Sequence, residues 1–178
     1  MRQTADGLRL VQKPVRELIR LRDKHHRLKN ATFAGANTWL ARLKPASDLL
    51  EIDVEFESAP TAGELGLRII TGTNEATVIR YQAAQGRLSL DRTQSGRVDF
   101  HPKFTGVHEA PVRLADGRLR LHLFLDTSSL ELFADIGVVS LTSLILPKGT
   151  HRGLQLESTT GDVVVKHLDI WQLKRAVH

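Results

Sequence analysis

The sequence predicts an all-β chain: a two-sheet antiparallel β-sandwich preceded by a short N-terminal strand and one helix. Three observations carry this. From about Thr32 onward, apolar residues recur at every second position, the period of a half-buried strand. Glycine-containing turn signals separate the short apolar runs. Helical spacing is convincing at one place, where Val15, Leu18 and Ile19 recur after Pro14.

In chain order, residues 7–12 read as a short strand. Pro14 suits the first position of a helix, where its missing N–H costs nothing. Arg16, Arg20 and Lys24 lie on the outer side of that helix, which is expected to fade near residues 25–30. Leu50, Ile52, Val54 and Phe56 then alternate with Glu51, Asp53, Glu55 and Glu57. Leu65–Ile70 forms the next strand. Residues 76–83 and 87–91 flank Gln85-Gly86, a hairpin signal, and residues 111–114 and 118–126 flank Asp116-Gly117, a stronger one. Residues 130–134, 138–146, 154–157 and 163–173 complete a series of about twelve strands. Many short strands with glycine turns pack as two sheets in a jelly-roll-like sandwich.

The chain has 178 residues, the size of one domain with a core of its own. It has no cysteine, which excludes a disulfide framework, a thiol nucleophile and cysteine-based metal sites. The first residues lack the apolar core of a secretory signal. No apolar run approaches the ~20 residues of a bilayer span. A soluble chain without membrane contact is expected. Residues 1–30 hold nine Lys/Arg against three acids, a net +6; the rest holds sixteen against seventeen, a net −1. The basic segment has no Phe, Tyr or Trp for base stacking, so nucleic acid is not an expected partner. It reads as a solvated face or as a contact for an acidic surface.

Glu51, Asp53 and Glu55 are the sharpest candidates for chemistry. Retaining glycosidases place two carboxyls about 5–5.5 Å apart. The stretch resembles the Glu-x-Asp-x-Glu strand of family 16 β-glucanases, which are concanavalin-like jelly rolls, the architecture expected here. That resemblance implies Glu51 as nucleophile, Asp53 as tuning residue and Glu55 as acid/base. Against it, aromatics make up only 5% of the chain. Positions i and i+4 of a strand are also ~13 Å apart at Cα. The favoured reading is a charged, solvated strand face. The eight histidines (25, 26, 101, 108, 122, 151, 167, 178) show no metal-site spacing, and no metal or cofactor is expected. His25-His26 reads as surface, and His101 and His108 as loop packing. Asp126-Thr127-Ser128-Ser129 reads as a turn held by side-chain hydrogen bonds.

An ordered set of motifs resembles the C-terminal β-sandwich of glycoside hydrolase family 32, the invertases, levanases and inulinases. Leu88-Ser89-Leu90-Asp91-Arg92-Thr93-Gln94-Ser95-Gly96 is followed by Phe100-His101-Pro102-Lys103-Phe104 and His108-Glu109-Ala110-Pro111. Phe124-Leu125-Asp126-Thr127-Ser128-Ser129-Leu130-Glu131-Leu132-Phe133-Ala134 is similar to that family's Phe-Val-Asp-Arg-Ser-Ser-Val-Glu-Val-Phe-Ala signature, with Thr127 in place of its Arg. Leu141–Pro147 and Ile170–Lys174 also fit, and Gln12–Leu18 resembles the linker that enters the sandwich.

The resemblance implies residues 1–30 as the end of a catalytic propeller and a linker helix, and residues 31–178 as the sandwich. The propeller's acids lie in Asn-Asp-Pro and Arg-Asp-Pro motifs and beside a cysteine; this chain has no Asp-Pro dipeptide and no cysteine. No catalytic residue is therefore assigned, and no hydrolysis by the chain alone is expected. The implied role is an accessory domain that stabilises the catalytic β-propeller and offers surface for domain or subunit contact, a second copy included. The alternative is a module binding fructan or a sucrose-type carbohydrate through Asp91, Arg92, Asp126 and Glu131, residues that otherwise serve turns and strand ends.

Overall fold

Segments that alternate in the sequence form strands with their apolar side turned inward. The computed structural model describes residues 1–4, 7–43, 47–57, 63–114, 117–149, 153–159 and 163–176. Strands β1 (Arg2–Thr4) and β2 (Gly7–Arg9) make a small hairpin. A 3-10 turn (Arg16–Leu21) leads into β3 (Arg22–Thr32) and helix α1 (Phe33–Leu43). Then come β4 (Leu50–Glu57), β5 (Glu64–Gly72), β6 (Glu75–Gln82), β7 (Arg87–Gln94) and β8 (Val107–Pro111). They are followed by β9 (Arg118–Leu125), β10 (Ser129–Ala134), β11 (Val139–Leu144), β12 (Gly153–Ser158) and β13 (Val164–Leu173).

Two antiparallel sheets result, as the alternation predicts. One has six strands in the order β11-β10-β9-β4-β13-β3, the other five in the order β12-β5-β6-β7-β8. Register explains the core. Ile52 of β4 lies between Leu123 of β9 and Ile170 of β13, and Leu123 lies opposite Leu132 of β10. This row is buried and packs with Leu67, Ile69, Ile79, Leu88 and Leu90 of the five-stranded sheet. The Gln85-Gly86 hairpin forms as expected between β6 and β7, with Gly86 at φ +58°.

Four expectations are corrected. The helix predicted from Pro14 toward residues 25–30 is only the 3-10 turn Arg16–Leu21. Its apolar spacing spans little more than one turn, too short to nucleate a helix. Residues 22–30, read as linker, lie in β3, which pairs along its length with β13. Helix α1, the one α-helix among the described residues, was read as part of the strand region. Thr32 Oγ1 accepts the Gly35 N–H, and Ala36 and Leu40 face the core. The Asp116-Gly117 hairpin does not form either. Asp116 lies outside the described residues, but β8 pairs with β7, and β9 pairs with β4 and β10. The chain between β8 and β9 therefore crosses from one sheet to the other.

Candidate functional site

The second face of β4 carries the polar half of the alternation. Register sets its neighbours. Glu51 lies between Phe124 of β9 and Trp171 of β13, and Asp53 between His122 and Asp169. Glu55 lies between Arg120 and His167. Four carboxylates on two adjacent strands thus meet arginines and histidines from the strands on either side. Diagonal neighbours on one sheet face are within reach of long side chains.

Glu51 takes both ends of one guanidinium: Arg22 Nε donates to Oε2 at 2.7 Å and Nη2 to Oε1 at 2.6 Å. His122 Nε2 is 2.7 Å from the same Oε1. Asp53 is held the same way by Arg120, with Nε 2.9 Å from Oδ1 and Nη2 2.5 Å from Oδ2; His167 Nε2 stands 3.6 Å from Oδ1. Asp169 Oδ1 accepts from His25 Nε2 at 2.6 Å and Arg27 Nε at 2.5 Å. Arg22 also lies 3.8 Å from the centroid of the Trp171 ring, on which His25 stacks at 4.6 Å. Such fork-to-carboxylate pairs are directional and strong.

The face is therefore not the solvated one expected for Glu51, Asp53 and Glu55. Glu51 is 1% exposed, Asp53 9% and Asp169 4%; Glu55 is half-buried and 3.8 Å from Arg118. The reason is cover and pairing together. Residues 12–22 cross this face as a strap, pinned by Gln12 N–H to the Gly137 carbonyl at 2.9 Å and by the Gln12–Ser140 side-chain pair. Gly137 (φ +89°) permits the approach, since a Cβ there would collide with the Gln12 carbonyl. At its far end, the Leu21 carbonyl accepts the Lys174 N–H at 2.8 Å.

Burial pushes the Glu51 carboxyl up, but the hydrogen bonds from Arg22 and His122 outweigh it and hold it below the ordinary carboxylate value. Burial likewise raises the Asp53 carboxyl, and Arg120 overrides it downward. The same bonds raise the Arg22 and Arg120 guanidiniums. Glu51 and Asp53 are thus fixed as anions by bidentate partners. The array is suited to clamping strap to sheet, and Glu51, with both oxygens bonded, is not free to act as a nucleophile.

Two clefts flank the strap. One of about 250 Å³ lies between strap and sheet, walled by Val15, Ile19, Ile136, Phe124 and Phe133 over the Arg22–Glu51–His122 cluster. The other, of about 450 Å³, lies between the β9–β10 turn, the strap and residues 173–176. Asp126 and Glu131 both line the second cleft, with Thr127, Ser129 and Phe124. Asp91 and Arg92 sit apart from it on β7. The Asp91 carboxylate accepts from Thr93 N–H and Oγ1–H, and Arg92 lies 4.3 Å from the Phe104 centroid with Nη1 3.3 Å from the Leu144 carbonyl. The structure thus brings together two of the four predicted sugar contacts. The turn expected at residues 126–129 forms, closed by Asp126 N–H to Ser129 O at 2.9 Å and by Asp126 Oδ1 accepting Thr127 N–H at 2.6 Å.

His101 Nδ1 accepts the Lys103 N–H in a loop, as its loop reading implies. His25, read as surface, is bound to Asp169, and His26 has its Nε2 buried without a hydrogen-bond partner among the described residues. Sequence reasoning missed Arg22, Arg120, His122, Asp169 and Trp171. Their signal was present as alternation: Arg120, His122 and Phe124 interleave with leucines, as do His167, Asp169 and Trp171 with Leu168 and Ile170. Which charge meets which required the strand order.

Fold and site together define an all-β sandwich with a strapped, ion-paired outer face. Residues 17–172 match the family model described as glycosyl hydrolases family 32 C terminal. The chain is 37% identical over 172 residues to a levanase of Bacillus subtilis (strain 168), covering 96% of this chain and 25% of that protein. It is 29% identical over 164 residues to an extracellular exo-inulinase of Aspergillus ficuum, covering 90% and 30%. The crystal structure of exo-inulinase from Aspergillus awamori superposes with a TM-score of 0.76 at 23% identity, over 97% of this chain and 34% of that one. The chain belongs to glycosyl hydrolases family 32 and corresponds to the C-terminal part of its members. It spans between about a quarter and a third of the length of these relatives.

Proposed function

We propose that this chain is the non-catalytic accessory sandwich of a fructan- or sucrose-hydrolysing glycosidase, stabilising a catalytic propeller and mediating domain or subunit contact. The observation that carries the reading is the share of the match: relatives named levanase and exo-inulinase align with nearly all of this chain but with only 25% and 30% of themselves. The paired state of Glu51 supports it, because the nucleophile of the glucanase reading has both carboxylate oxygens engaged by Arg22 and His122. On this reading the linker ends at Leu21, where β3 joins the six-stranded sheet. The purified chain should release no fructose from sucrose, inulin or levan. Reducing-sugar release that survives repurification would overturn the proposal.

A second reading, a fructan-binding module, is favoured by one observation: Asp126, Thr127, Ser129 and Glu131 share a cleft with the Phe124 ring. Convergent hydrogen-bonding groups beside an apolar platform suit a sugar ring. Retention on insoluble levan or inulin, lost in Asp126→Ala with Glu131→Ala, supports this reading. No retention by the wild-type chain ends it.

A further inference from the structure

The exposed apolar residues are unevenly spread. Leu8, Leu10, Val15 and Ile19 belong to the N-terminal segment, and Ile136 sits in the loop to which the strap is pinned. Leu10 is 70% exposed, Val15 63% and Ile19 56%. Isolated exposed apolar residues, such as Phe100, Val107 and Leu144, are ordinary, but Val15, Ile19 and Ile136 gather around one cleft and mark an interaction surface. The cleft under the strap takes hydrocarbon, because its polar floor of Arg22, Glu51 and His122 is already paired internally.

Charge sorts the partner. Between residues 12 and 22 the sequence holds Lys13, Arg16, Arg20 and Arg22 against Glu17 alone. Arg22 is neutralised by Glu51. Among the described residues, Lys13, Arg16 and Arg20 have no carboxylate partner. The outer face of the other sheet is different. Arg68, Arg80 and Arg87 pair there with Glu157, Glu64 and Glu109 at 2.5–3.3 Å. Those charges are paired, and a cleft on that sheet is lined mainly by polar side chains, Glu64, Arg80, Glu157, Ser158 and Thr159.

We propose that the catalytic domain seats on the strap side of the six-stranded sheet and presents an acidic, apolar surface there. Its carboxylates meet Lys13, Arg16 and Arg20, and its apolar side chains cover Val15, Ile19 and Ile136 and enter the cleft. This rests on the accessory-domain reading above and adds to it the face and the chemistry of the contact. Unpaired strap charges steer and select the partner, while the apolar cluster supplies most of the binding.

The test uses full-length Bacillus subtilis levanase with its matched 172 residues exchanged for this chain. Scanning calorimetry compares it with Val15→Glu plus Ile19→Glu, with Lys13→Glu plus Arg16→Glu, and with Val107→Glu on the edge strand of the other sheet. All the substituted residues are exposed, so the isolated 178-residue chain carrying them should keep its own melting temperature, which is measured in parallel. The expected result is one cooperative transition that both strap variants split into two, with the Val107 variant unchanged. One transition that neither strap variant splits overturns the face while leaving the accessory reading intact. Splitting by the apolar pair alone overturns the acidic partner. Two transitions in the unsubstituted hybrid overturn the accessory reading and the docking face together.

Discussion

Glu51 shows how a single position is stabilised against its own burial. An ionised carboxylate that is 1% exposed has lost nearly all its water. Two guanidinium bonds and one imidazole bond replace that hydration. Breaking a buried pair from one side costs more than removing both partners, because the survivor keeps its desolvation cost. Glu51→Gln should therefore destabilise the chain by about 2–4 kcal/mol, the lower end because Arg22 retains some solvent contact. Glu51→Leu combined with Arg22→Met should cost clearly less, and urea unfolding of the variants separates these outcomes. Acid titration tests the same bonds. Glu51 and Asp53 have folded-state values below their unfolded ones. Their stabilisation is fully present above the unfolded values, near pH 4, and is lost as pH falls through the depressed folded values. Stability should hold from neutrality to about pH 5 and drop below about pH 4, with a shallower acid limb in Glu51→Gln. A flat profile down to about pH 2 would contradict the assignment.

Among the elements, α1 does the least expected work. β12 is an edge strand of the five-stranded sheet, and a bare edge invites pairing with another chain. Asn37 of α1 closes it. Its Nδ2 donates to the Leu156 carbonyl at 2.9 Å, and its Oδ1 accepts the Leu156 N–H at 2.8 Å. One side-chain amide thus stands where the backbone of a further strand would sit. Asn37→Ala should lower stability by about 1–3 kcal/mol, since two partly buried backbone groups lose their partner. It should also hasten aggregation on heating, followed by light scattering alongside the melt. Equal scattering in both proteins would mean that the edge is protected by other means.

The whole molecule is held by one core shared between the two sheets. Leu123 sits at its centre, fully buried on β9 and flanked by Ile52 and Leu132. Leu123→Ala should cost about 2–5 kcal/mol. Because both sheets contribute to the same core, far-ultraviolet circular dichroism and tryptophan fluorescence should give the same midpoint. Separate midpoints would show that the sheets unfold independently. Four of the ten strand pairs among the described residues join strands distant in sequence, and β13 closes the six-stranded sheet between β4 and β3, more than a hundred residues away. Folding should accordingly fall in the slow range of sheet proteins, milliseconds to seconds.

Much of this was legible in the residues themselves. Alternation along 50–57, 65–70, 118–125 and 164–173 fixes which side chains enter the core, because a strand turns successive residues to opposite faces wherever it is placed. Motif order identified the family by the same means. Helix α1 was also legible, through Thr32 as cap and apolar residues at 33, 36, 40 and 43, but the strand period around it hid the signal. β3 was not legible. It has few apolar residues, and its extended shape is imposed by pairing with β13. Nor was the fate of Glu51, Asp53 and Asp169. Alternation places a carboxylate on a face but cannot say whether that face meets water or arginine. Strand order alone set Arg120 and His122 beside β4, and the strap alone sealed the face over them, because burial and charge pairing depend on neighbours that are far away along the chain.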